Sequence, residues 1–344
     1  MRDDTATSAL GDRVSTLPRR RRIGETLGVA SSLAGSGAAL VAVALLTSSA
    51  RADVRATTEV TVGADAIEPS RAAALDAPAP PPEIVLEERV QAGRHWRIET
   101  ARGAVHVWIP ADYDAATAAT VAFVHGYWIR VDEAWESYRL AEQFALSGIN
   151  AMFIAPEAPH AKWEPVAWPS LAELVHTVAD SVDVAMPARR LVAVGHSGAY
   201  RTLALWLTNP ALDTVVLLDA LYVEYGLLPW MRASRQHRLV NIVYETGRFS
   251  DYLHRRLPGT RRVDGLPANH LPDARILYVR TDVGHWQLVT DGVALPLALR
   301  AIEVPPVASA RLDLPLGLPP RDPPPVDDAL AGPPSAAQIT EPAY

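Results

Sequence analysis

Gly195-His196-Ser197-Gly198-Ala199 sets a serine among small residues, with Gly two positions before it and Ala two positions after. A serine hydroxyl is a weak nucleophile until a neighbouring base takes its proton. The small flanking residues matter because a strand-to-helix turn sharp enough to lift the hydroxyl off a sheet brings neighbouring elements against the backbone. Leu191-Val192-Ala193-Val194 reads as a strand feeding the pentapeptide, and Ala199–Leu207 as the helix after it. That helix turns the positive end of its dipole toward any oxyanion forming near Ser197. A plain Gly-rich turn would carry the same five residues, but the strand before and the helix after favour the nucleophile.

A base and an acid must join it. Of ten histidines, His285 is the best placed, one short loop (280–284) after the predicted strand Arg275–Val279. His196 adjoins the serine, and neighbours on a tight turn point apart. His237, His254 and His270 lie in polar segments expected at the surface. The base must hold a carboxylate on its other ring nitrogen. Asp219 ends the apolar strand Thr214–Leu218, so it is expected at the edge of the sheet where the serine sits. Glu245 and Asp251 follow the next strand, Leu239–Tyr244, and stand as alternatives. Arg248, Arg255 and Arg256 crowd Asp251 and offer it surface ion pairs, so Asp219 is chosen as the acid.

Phe123-Val124-His125-Gly126-Tyr127-Trp128, the Ser197 pentapeptide and Gly284-His285 together resemble the α/β-hydrolase superfamily over about residues 120–300. No subfamily can be assigned. Ala199 stands where Gly is commoner and keeps the site small. The resemblance implies the chain order nucleophile, acid, histidine. It also implies an oxyanion hole made by the backbone N–H groups of Tyr127 and Gly198, with His125 structural. The implied activity is serine hydrolysis of a small-molecule carboxylic ester, or an amide, through an acyl-enzyme. An esterase is favoured over a peptidase or amidase, and the chemistry needs no metal or organic cofactor. The competing reading is a catalytically inactive binding protein of the cell envelope that keeps the fold. A metalloenzyme is poorly supported, since the sequence has no H-E-x-x-H and neither His160 nor His176 has a close ligand partner.

Short apolar runs alternating with helical segments are the elements that must position these groups. They predict an α/β fold with a mostly parallel central sheet, helices on both faces, and a small or absent cap. Val85–Val90, His95–Glu99 and Val105–Ile109 make an antiparallel-looking start, followed by Thr120–Val124, Asn150–Ile154 and Arg190–Val194. Helices are expected from Asp132 or Glu133 through Gly148, over Leu171–Val182, and after Gly292. Tyr127, Trp128, Trp163, Trp168, Tyr222, Tyr225 and Trp230 fall on loops of the expected catalytic edge. They suggest either a ring-binding cleft or the core of a small cap.

This catalytic domain spans 84–303. An Ala/Pro-rich linker, 53–83, precedes it, and a Pro-rich tail, 304–344, follows. Residues 1–52 look like an export segment. Arg19–Arg22 precede an uncharged stretch, 27–46, and Ala50-Arg51-Ala52 offers a cleavage site. The arginine run resembles a twin-arginine signal for a periplasmic or secreted protein. An uncleaved N-terminal membrane anchor through 27–46 is the alternative. The 344 residues carry a net charge of −7, which argues against nucleic acid as a partner. The chain has no cysteine, which excludes disulfides, zinc–thiolate sites and thiol catalysis.

Overall fold

The structure is a computed structural model that describes residues 80–319 apart from 189 and 225. The expected export segment 1–52, most of the linker, the later tail and Tyr225 lie outside the described residues. Three antiparallel strands open the domain: β1 (Glu83–Val90), β2 (Gly93–Glu99) and β3 (Val105–Pro110). Alternation follows. The next elements are β4 (Ala119–Val124), α1 (Val131–Ser137), α2 (Leu140–Ser147), β5 (Ala151–Pro156) and α3 (Leu171–Ser181). Then come β6 (Leu191–His196), one 3₁₀ turn over Ser197–Ala199, α4 (Tyr200–Trp206), β7 (Leu212–Leu218) and α5 (Leu227–Ala233). The last are β8 (Arg238–Val243), α6 (Gly247–Arg255), β9 (Arg261–Asp264), β10 (Ile276–Arg280), α7 (Gln287–Thr290) and α8 (Ala294–Arg300).

All ten strands form one sheet in the order β1-β2-β3-β5-β4-β6-β7-β8-β10-β9. Pairings are antiparallel as far as β3–β5 and parallel from β5–β4 onward. Strands β4, β5 and β8 are buried along their whole length. Each is covered on both faces, which is why largely apolar runs mark β4 and β5 in the sequence, while β8 also buries Arg238 and Asn241. The pleat divides the core in two. Val121, Phe123, Phe153 and Val194 meet α1, α2, α7 and α8 on one face. Ala122, Val124, Ile154 and Ala193 meet α3 through α6 on the other. This is the α/β-hydrolase fold.

Several elements depart from the sequence expectation. The helix expected through Gly148 is two helices, because Arg139 takes left-handed backbone at φ 54°. The break lets Tyr138 and Leu140 both enter the core. The buried Gln143 amide donates to the carbonyls of Tyr138 and Val289, at 2.5 and 2.6 Å. Gly148 does end α2, at φ 66°. Helix α5 buries Leu227, Leu228, Trp230 and Met231 in the second cluster, so it belongs to the domain core and is no cap. Helix α6 and the edge strand β9 are further additions. The described start of the tail packs on the domain: Asn150 N–H donates to Pro305 O, and Leu318 N–H to Asp291 O. Among the described residues no helix is long and apolar enough to cross a membrane.

A row of side chains ties the antiparallel end to α1. His95 Nδ1 meets Glu88 Oε1 at 2.8 Å, His95 Nε2 meets His106 Nδ1 at 2.9 Å, and His106 Nε2 meets Asp132 Oδ1 at 2.8 Å. Trp135 stacks on both rings, 4.3 and 4.7 Å between centroids. Arg97 forks onto Asp132 at 2.7 and 2.8 Å. Burial, helped by the neighbouring His95 ring, pushes His106 down to about 4.

Candidate active site

Strand β6 ends at His196, and the chain turns sharply at Ser197, whose φ is 50°. Left-handed backbone is costly for a residue with a Cβ. Here it projects the serine at the carboxyl end of the central strands. The sterics of the turn are visible in its glycines. A Cβ on Gly195 would lie 2.9 Å from Ala199 Cβ and 2.5 Å from Leu203 Cδ1. Glycine at position 195 is therefore required by contact.

Asp219 leaves the end of β7 in the same unusual backbone, φ 50°, and is fully buried. Its carboxylate accepts from the amides of Tyr244, Glu245 and Thr246 at 2.9 to 3.1 Å, and from Thr246 Oγ1 at 2.8 Å. His285 Nδ1 meets its Oδ2 at 2.7 Å. Burial works against the carboxylate charge, but the hydrogen bonds from His285, Thr246 and Glu245 outweigh it and bring Asp219 down to about 2. An ionised acceptor on Nδ1 fixes the orientation and tautomer of the ring. His285 itself is partly exposed.

The loop after β4 closes the other side. A Cβ on Gly126 would come within 2.8 Å of Ser197 Cβ, and one on Gly198 within 2.5 Å of the Tyr127 ring. Both positions admit only glycine, so the loop after β4 packs directly against the Ser197 turn. His125 Nε2 meets the Ala158 amide at 3.1 Å and Glu157 Oε1 at 3.3 Å, and its Nδ1 reaches Gly126 O at 2.7 Å. His125 therefore holds this loop in place.

The remaining candidates separate clearly. Asp251 accepts from Tyr278 Oη at 2.8 Å and faces Arg262 and Arg280, on α6 and away from His285. Glu245 lies alongside the pair: donor atoms of Asp219, Glu245 and His285 all fall within 4.8 Å of one another. A cation held there would compete with the protein donors already on Asp219. His196 is fully buried, its Nε2 donating to the His285 carbonyl at 3.1 Å, and burial pushes it down to about 3. His254, expected at the surface, is buried against Asn241 and Tyr278. His237 reaches Trp230 O at 2.6 Å, and His270 is exposed.

Sequence reasoning missed two things here. The Tyr222 hydroxyl shares a hydrogen bond with Ser197, and burial raises it to about 12. The expected aromatic group also divides. Tyr127, Trp128 and Tyr222 stay at the site, with Trp163 in ring contact with Trp128, whereas Trp168 and Trp230 belong to the core.

No protein-family model matches the sequence. No curated protein matches it either. Among solved structures the chain is similar to a ferulic acid esterase, at 13% identity over 64% of this chain and 99% of the other, with a TM-score of 0.40. It is similar to the feruloyl esterase module from Clostridium thermocellum complexed with sinapinate, at 12% identity over 63% and 91%, TM-score 0.37. It is also similar to an S-formylglutathione hydrolase from Agrobacterium tumefaciens, at 10% identity over 59% and 92%, TM-score 0.36.

Proposed function

We propose that the protein is a serine hydrolase that cleaves a carboxylic ester through an acyl-enzyme. The observation that carries this reading is the 2.7 Å bond between His285 and the buried Asp219, beside a serine held in left-handed backbone. Ser197 Oγ attacks the ester carbonyl carbon while His285 Nε2 takes its proton. The carbonyl oxygen becomes an oxyanion facing the Tyr127 and Gly198 amides. The tetrahedral intermediate collapses, the bond from carbon to the alcohol oxygen breaks, and His285 gives its proton to that oxygen. Water, deprotonated by His285, then attacks the acyl-enzyme and releases the acid and Ser197. Asp219 stays ionised and stabilises the imidazolium.

A fluorophosphonate probe tests this directly. Protein from residue 53 onward should be labelled, and Ser197→Ala should abolish labelling. An unlabelled but folded domain would favour the binding-protein reading. Export through 1–52 is proposed on the sequence alone, and an N-terminus near 53 on protein recovered outside the cytoplasm would support it.

A further inference from the structure

The chain has nine tryptophans. Trp96, Trp108, Trp135, Trp168, Trp206 and Trp230 are buried, while Trp128, Trp163 and Trp286 are 54%, 70% and 45% exposed. Exposed indoles are costly to present to water and tend to mark binding surfaces. All three lie beside the proposed catalytic groups. Trp128 follows the oxyanion residue Tyr127, and Trp286 follows His285. Trp163 is tied in twice: its ring meets Trp128 at 5.8 Å, and the preceding Lys162 carbonyl accepts from Arg201, one turn after Ser197, at 2.7 Å. Trp128 is moreover held at φ 69°, left-handed backbone for a bulky residue, with its amide bonded to His160 O at 2.7 Å.

The Trp128 and Trp163 rings stand 65° apart. Two indoles in this arrangement form a corner. A flat ring laid on the face of one turns its edge to the face of the other, and both contacts suit the aromatic quadrupole. A puckered saturated ring gains neither. The chemistry also assigns a side. The leaving alcohol must lie by His285, which protonates it, and so by Trp286. The acyl group then extends from the oxyanion loop toward Trp128 and Trp163. We propose that this corner is an acyl-binding subsite for an aromatic ring, making the substrate an ester of an aryl carboxylic acid. This inference rests on the serine-hydrolase reading of the same site.

Ethyl benzoate and ethyl cyclohexanecarboxylate share the ester and the ring size and differ in planarity and π-face. Trp163→Leu keeps an apolar side chain at an exposed position. In it, the ratio of kcat/KM for the benzoate to that for the saturated ester should fall about fivefold relative to wild type, within what one aromatic pair contributes. Calorimetry on Ser197→Ala protein reads binding without turnover, and adding Trp163→Leu to it should weaken ethyl benzoate by a similar factor. An unchanged ratio and unchanged binding in protein that the fluorophosphonate still labels would overturn the aryl subsite. Loss of labelling with benzoate binding still sensitive to Trp163 would instead overturn the catalytic reading and leave the subsite standing.

Discussion

Asp219–His285 and the row Glu88–His95–His106–Asp132 are built from the same two kinds of side chain at the same spacing, 2.7 Å in one and 2.8 to 2.9 Å in the other. Their surroundings are inverted. At the first, the carboxylate is wholly buried and the imidazole side chain is 13% exposed. In the second, both imidazoles are buried, while Glu88 and Asp132 are 45% and 51% exposed. The row uses both nitrogens of both rings and clamps them under Trp135. The pair uses Nδ1 alone. A proton can be moved only by a nitrogen left over, next to an acid that stays charged. A histidine–carboxylate contact is thus poor evidence of catalysis until the exposure of each partner and the second ring nitrogen are known.

The largest effect expected separates the two directly. Asp219→Asn should lower turnover of a test ester by about 10⁴-fold, since the ring loses its orienting charge. Asp251→Asn should stay near wild type. The reverse result in steady-state assays, a large loss in Asp251→Asn with Asp219→Asn near wild type, would reassign the acid.

Next comes the row. His106→Ala leaves His95 and Asp132 without their central partner in a site sealed by Trp135. It should cost about 2–4 kcal/mol in urea unfolding, with kcat/KM close to wild type. A large activity loss in a folded variant would show that the two assemblies are coupled.

Acid should act on the buried rings before it reaches Asp219. Burial pushes His196 to about 3, and His106 and His254 to about 4. Unfolded chains bind these protons near pH 6.5 and the folded protein does not. Stability is therefore full above about 6.5 and falls as pH drops toward 4, by up to about 1.4 kcal/mol per pH unit per group. Asp219, brought down to about 2, adds its own loss only between about 3.8 and 2. Thermal midpoints measured from pH 7 to 2 check the order.

The smallest effect concerns Glu245, a second carboxylate within 4.8 Å of the pair. It is exposed, and screening by water keeps such a contribution small. Glu245→Gln should change kcat/KM about two- to threefold, and the difference should shrink in high salt.

Much of this was legible in the sequence. Buried strands appear as apolar runs, and the Ser197 turn carries its own steric signature. Asp219 could be preferred because its strand is apolar and no arginine adjoins it. The rest needed pairing that a sequence does not print. His95 and His106 meet because β2 and β3 pair side by side, and His95 lies opposite Trp108. Helix α6 stayed hidden because its buried positions include Gly247, Ser250 and His254 while Arg248, Asp251 and Arg255 dominate its composition. Strand β9, Arg261–Asp264, is a charged edge with no apolar alternation. Arg139 gives no sign of left-handed backbone, since that is imposed by what Tyr138 and Leu140 bury.

The left-handed backbone at Ser197 also has an evolutionary side. Glycine would relieve most of that strain, worth about 1 kcal/mol, and a chain so altered would fold at least as well while doing no chemistry. A population screened for heat resistance alone would drift toward that silent form. Under the proposed function, heat resistance and turnover therefore pull this one position in opposite directions.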